Sequence, residues 1–167
     1  MYNNRHRNIN RKSKLPVAGR VIQDEVPYNG STEIEGNGLR MKRIGFISKN
    51  RVLAQSLATL IKNNLDLPFE PHVLQNIEQA VMDVGILKID VAVIEMIAEA
   101  SGKTGNILLL CTELRQTAPD CQILLLVPQE NVLNCEMAIK AVNTGVVDDY
   151  VFLDTSLDYL FAKLLAL

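Results

Sequence analysis

Residues 122–152 read QILLLVPQENVLNCEMAIKAVNTGVVDDYVF. An apolar run, Ile123-Leu124-Leu125-Leu126, precedes a helical pattern over Val132 to Val142, and a second apolar run follows at Tyr150-Val151-Phe152. A strand apolar at every position is what a central parallel strand, covered on both faces, requires. Gly145 closes the helix, and Asp148-Asp149 leads into the next strand. Strand–helix alternation of this kind predicts a doubly wound α/β sheet.

The alternation extends back to Met41. Ile44-Gly45-Phe46-Ile47, His72-Val73-Leu74 and Val91-Ala92-Val93-Ile94 read as three earlier strands, the last within Asp90 to Glu95. Val52, Leu53, Leu57, Leu60 and Ile61 form the apolar stripe of a first helix. Pro68 and Pro71 are expected to break the chain before strand two, and Ile77, Val81 and Val84 to form a second helix ended by Gly85. A third helix is expected from near Asn106, through Leu109, Leu110 and Leu114, to a stop near Pro119. Asp154-Thr155-Ser156 caps a last helix, with Leu157, Leu160, Phe161, Leu164 and Leu165 expected to face inward.

Charge divides the chain in two. Residues 1–40 carry seven Lys/Arg against four Asp/Glu, while residues 41–167 carry ten against fifteen. The first segment lacks apolar periodicity and is expected to be a disordered basic arm or linker, because it cannot bury enough surface to offset chain entropy. Arg5, Arg7, Arg11, Lys12, Lys14 and Arg20 occur before any acidic residue, which suits contact with nucleic acid or anionic lipid. A solvated tail has the same composition, and no aromatic interleaving argues for the contact. Residues 41–167 form the expected single domain.

No apolar run approaches the roughly 18 residues of a membrane span. The polar N-terminus is no secretory signal. Cys111, Cys121 and Cys135 are an odd set without metal spacing, read as thiols of a reducing, cytoplasmic compartment. His6 and His72 are too isolated for a metal site.

Doubly wound sheets take ligands at the carboxyl ends of their strands. Those ends read Ser48-Lys49, Glu95, Val127 and Leu153-Asp154. The set is poor in metal ligands, nucleophiles and acid/base pairs, so binding is expected rather than catalysis, with no catalytic residue, metal or cofactor. A rival motif spans Ile97 to Thr104 and ends Gly102-Lys103-Thr104, after a strand and before a helix, as a phosphate-binding loop does. Ile97 occupies the position of that loop's first glycine, where a β-branched residue resists the needed backbone.

In order and spacing, Met41 to Leu167 resembles the receiver domain of bacterial two-component response regulators. "MKRIGFISKNRVLAQSLATLI" is similar to the family's opening strand and helix, "IDVAVIEM" to its phospho-acceptor strand, "APDCQILLLVPQE" to strand four, and "AIKAVNTGVVDDYVFLD" to helix four and the turn into strand five. The resemblance implies a flavodoxin-like, three-layer αβα fold with strand order 2-1-3-4-5. It also implies a pocket in which every reactive position has changed type. Ser48-Lys49 stands for the acidic pair, Glu95 for the phospho-accepting Asp, Val127 for the Ser/Thr, and Leu153-Asp154 for the Lys-Pro. Tyr150 alone keeps the family's aromatic.

Aspartyl phosphorylation needs Mg²⁺ held by several oxygens and a cation on the phosphoryl group. Glu95 beside an ammonium is a poor Mg²⁺ site, and its extra methylene moves the carboxylate by about 1.5 Å, a shift able to cost about 100-fold. Two arrangements are open for Lys49: an internal ion pair with Glu95 in place of the metal, or a side chain in solvent that leaves Glu95 a hydrated strand-end carboxylate. The resemblance thus implies a pseudo-receiver that regulates by binding a protein partner, or by dimerising, through helix four, strand five and helix five. That face would include Met137, Lys140, Tyr150, Leu157 and Phe161. Two further readings are a receiver-like piece of a ParA/MinD-like pilus-assembly ATPase, and a phosphotransfer protein using Glu95.

Overall fold

The computed structural model describes residues 40–96 and 105–167. Its strands are β1 (Lys42–Ile47), β2 (Phe69–Leu74), β3 (Val91–Glu95), β4 (Gln122–Val127) and β5 (Asp149–Phe152). The helices that alternate with them are α1 (Arg51–Asn63), α2 (Ala80–Leu87), α3 (Gly105–Thr117), α4 (Val132–Asn143) and α5 (Leu157–Ala166). The strands form one parallel sheet in the order β2-β1-β3-β4-β5. The doubly wound, flavodoxin-like expectation holds.

Alternation along each strand divides the core. Ile44, Phe46, Val91, Val93, Leu124, Leu126 and Val151 pack with Ala54, Leu57 and Ile61 of α1 and Leu160 and Leu164 of α5. Ile47, Ala92, Ile94, Ile123, Leu125 and Val127 pack with Val84, Leu110, Leu114, Ala138 and Ala141 of α2, α3 and α4. Each fully buried Leu or Ile contributes about 1.5–3 kcal/mol of transfer free energy, so the central strands anchor the fold.

Several local expectations are corrected. Pro71 does not precede β2 but lies within it, paired in register with Ile44. β2 is an edge strand, where a missing N–H can face solvent without breaking a ladder. α2 does not end at Gly85 but runs on to Leu87, and Lys88 stops it at φ 51° in the left-handed region. Val52 and Leu60, read into the apolar stripe of the first helix, and Leu157 and Leu165, expected to face inward, are exposed. Helices on a flat sheet bury a narrower stripe than simple periodicity marks, and here Ala54 and Ala80 take inner places. Gly145 adopts φ 71°, the left-handed turn expected after α4.

Two aspartates secure the amino edge of the sheet in the same way. The Asp90 backbone N–H donates to Arg43 O at 2.8 Å, and its side chain accepts from Arg43 N at 2.8 Å. The Asp148 N–H donates to Ile123 O at 3.0 Å, and its Oδ2 accepts from Ile123 N at 2.7 Å. An arginine backs each carboxylate: Arg40 on Asp90 at 2.9 Å and Arg115 on Asp148 at 2.6 Å. The segment read as the basic arm, up to residue 39, and the Gly102-Lys103-Thr104 motif lie outside the described residues. No described helix is long and apolar enough to cross a membrane.

Candidate functional site

The carboxyl ends of β1 and β3 lie side by side, with Ile47 in register with Ile94. One residue beyond each pair the chain turns polar, at Ser48 and Glu95. Ser48 is buried, and its hydroxyl donates to Glu95 Oε2. The Ser48 Oγ in turn accepts the Asn50 backbone N–H at 2.8 Å. Asn50 in turn caps α1, its Oδ1 accepting from Leu53 N at 3.1 Å. The carboxylate, the hydroxyl and the start of α1 therefore form one connected chain of hydrogen bonds.

The sequence left Lys49 either pairing with Glu95 or pointing to solvent. The partner shown for Glu95 is Ser48. Ser48 is buried at the strand end, and Lys49, the next residue, is exposed.

Val127 is fully buried at the end of β4 and offers no hydrogen bond. Leu153 follows β5 and is 37% exposed, an apolar group at the rim of the cleft. Beyond them, the Gln129 side-chain nitrogen donates to the carboxylate of Asp154, tying the loop after β4 to the loop after β5. Both groups are exposed, so the tie stabilises little.

The donor set does not fit the divalent ion that a phosphorylatable receiver pocket needs. Ser48, Lys49, Glu95, Val127 and Leu153 supply one carboxylate and one hydroxyl already bonded to each other. Among the described residues no three His, Cys, Asp or Glu side chains gather as metal ligands.

The residues expected to form an interaction face are placed less uniformly. Lys140 and Leu157 are exposed. Met137 and Tyr150 are half-buried against the α2–α3–α4 side of the core, and Phe161 packs against the opposite side. Tyr150 stacks edge-to-face on Phe152, ring centroids 5.7 Å apart. Beside them Lys163 pairs with Asp149 and lies 5.8 Å from the Tyr159 ring centre. The hydrogen bond from Lys163 to Asp149 raises the lysine pKa above its ordinary value.

Asn50 and Ser48 are the site residues whose joint role the pattern did not reveal. An Asn placed three residues before the first turn's apolar position was the available signal for the cap.

Ser48→Ala should lower stability by about 1–2 kcal/mol, because it removes the acceptor of the Asn50 N–H and the hydroxyl that donates to the Glu95 carboxylate. Urea unfolding of the two proteins checks it, and an unchanged midpoint would mean that the chain of hydrogen bonds carries no weight.

No family model matches the chain, and no curated protein matches it. Solved structures do. A two-component response regulator from Clostridium difficile aligns at 22% identity and TM-score 0.60, over 75% of this chain and 93% of that one. A response regulator from Thermotoga maritima, solved in complex with Mg²⁺ and BeF, aligns at 20% identity and TM-score 0.58, over 75% and 98%. A pilus assembly-related protein from Burkholderia pseudomallei aligns at 18% identity and TM-score 0.58, over 75% and 88%. The chain has the receiver fold.

Proposed function

We propose that this receiver-fold chain is a phosphorylation-independent pseudo-receiver, a regulatory module that works by binding a protein rather than by catalysis. The observation carrying the proposal is the hydrogen bond from Ser48 to Glu95. It occupies, with groups of the chain itself, the place where a phosphorylatable receiver would hold metal and phosphoryl oxygens. The cleft is closed by its own side chains, and its conformation is set without a chemical signal.

The output surface in this reading is the α4–β5–α5 face, with Lys140, Tyr150 and Leu157 as its accessible parts and Met137 and Phe161 as its supports. Self-association through this face is one form of partner binding. A second reading, as a receiver-like module of a pilus-assembly protein, is favoured by the likeness to the Burkholderia pseudomallei structure.

Incubation of the full chain with acetyl phosphate and Mg²⁺, followed by intact mass measurement, tests the phosphorylation part. The expected result is no added phosphoryl group, and stoichiometric addition at Glu95 would make the chain a phosphotransfer receiver instead. Sedimentation of the chain against Leu157→Glu tests the face: a concentration-dependent dimer lost in the variant is expected if the partner is a second copy.

A further inference from the structure

The sheet has another cleft, at its amino edge. One wall is the end of α2 with the turn into β3, and the other is the end of α3 with the turn into β4. The space between them is about 340 Å³, at the lower end of the range for small-molecule sites. Val84, Ile89 and Cys121, all buried, and the half-buried Ala118 give it an apolar lining. Four charged side chains line it as well. Arg40 and Asp90 pair with each other at 2.9 Å. Lys88 and Asp120, one from each wall, are exposed and have no partner among the described residues.

Two residues of this cleft break the local rules of helix building, in opposite directions. Gly85 sits inside α2, where alanine is the more stable choice. A Cβ added to it would meet nothing within 4 Å, so no packing demands the glycine. Lys88 ends α2 at φ 51° and ψ 54°, the left-handed conformation that glycine takes freely and lysine does not. Alanine at 85 and glycine at 88 would suit the helix and its end better. They would also narrow the cleft and remove its unpartnered cation. Departures from local preference of this kind concentrate at functional sites.

We propose that the cleft binds a small zwitterion, an α-amino acid with an apolar side chain. Its carboxylate meets Lys88, its ammonium meets Asp120, and its side chain lies against Val84, Ile89 and Ala118. A simple anion would answer Lys88 and leave Asp120 unmet, and a simple cation the reverse. A zwitterion answers both and leaves the cleft neutral. α2 and α3 both end at this edge, and the negative ends of their dipoles favour the ammonium. The cleft lies at the end of the strands opposite Ser48 and Glu95, so the site does not rest on the reading of that pocket.

The test is a titration of the full chain with alanine, valine, leucine, isoleucine and methionine in turn, following the backbone amide resonances of Gly85, Lys88 and Asp120. At least one of these amino acids is expected to give saturable shifts in the millimolar range. Its deaminated acid and its decarboxylated amine, each lacking one charge, should bind about tenfold or more weakly. Gly85→Ala and Lys88→Gly should each weaken binding by about tenfold while leaving the urea midpoint level or higher. A residue with only a structural role would not separate binding from stability in this way. No saturable shift with any of these amino acids, equal binding of the singly charged analogues, or binding unmoved in both variants overturns the proposal.

Discussion

Asp148→Ala should lower the stability of the chain by about 2–3 kcal/mol, and with it the urea midpoint by about 1–2 M. The carboxylate is a meeting point of three elements. It accepts the second N–H of β4, from Ile123, at 2.7 Å, and the Arg115 guanidinium of α3 at 2.6 Å, just before β5 begins. Ile123 is fully buried. Its N–H lies at the sheet's amino edge, so the aspartate takes the place of a ladder partner. Removing the side chain leaves that N–H unpaired, and leaves Arg115, whose Nε already lacks a partner, without its anion. Asp148→Asn retains an acceptor oxygen and loses only the charge, so it should cost about 1 kcal/mol. Equal losses for the two variants would mean that the ion pair, not the strand cap, carries the effect.

The second large effect is alkaline. Cys111 and Cys121 are buried in the core, and burial pushes their thiols from the ordinary 9.0 up to about 12 and about 11. In the unfolded chain each thiol releases its proton near the ordinary value; in the folded chain each holds it. Below pH 9 both states are protonated and stability is full. As the pH rises from about 9 toward 12 the unfolded state ionises first, and stability drains. At about 1.4 kcal/mol per unit, the ceiling on the loss is about 4 kcal/mol for Cys111 and about 3 kcal/mol for Cys121. Lys163, held protonated by Asp149, adds a loss of the same sign above its ordinary value of 10.5. Urea midpoints under reducing conditions should be flat below pH 8.5 or so and fall steeply above it, and Cys111→Val should flatten the fall. A wild-type midpoint that stays level to pH 11 or so would contradict the argument.

The sheet was legible because its central strands are apolar at every position. Ile123 to Leu126 and Val91 to Ile94 admit burial on both faces, and the helical stretches between them force parallel pairing. What the pattern missed were decisions made by neighbours. Pro71 reads as a breaker in isolation, yet an edge strand tolerates it. Gly85 reads as a stop, yet the helix passes through it and halts at Lys88. Val52, Leu60 and Leu165 satisfy a helical period but lie beyond the reach of the sheet. At the site, the changed residue types were visible by spacing, and so was the poverty of oxygen ligands. The hydrogen bond from Ser48 to Glu95 was not, because it depends on how the strand end meets the cap of α1.

The closed cleft is tested most directly by titrating the full chain with beryllofluoride in millimolar Mg²⁺ while following the backbone amide resonances of Ser48, Asn50 and Glu95. With Ser48 and Glu95 bonded to each other and no oxygen cluster for the ion, these resonances should stay where they are. A saturable, Mg²⁺-dependent shift at these three amides would mean that the cleft opens and takes a phosphoryl-like ligand after all.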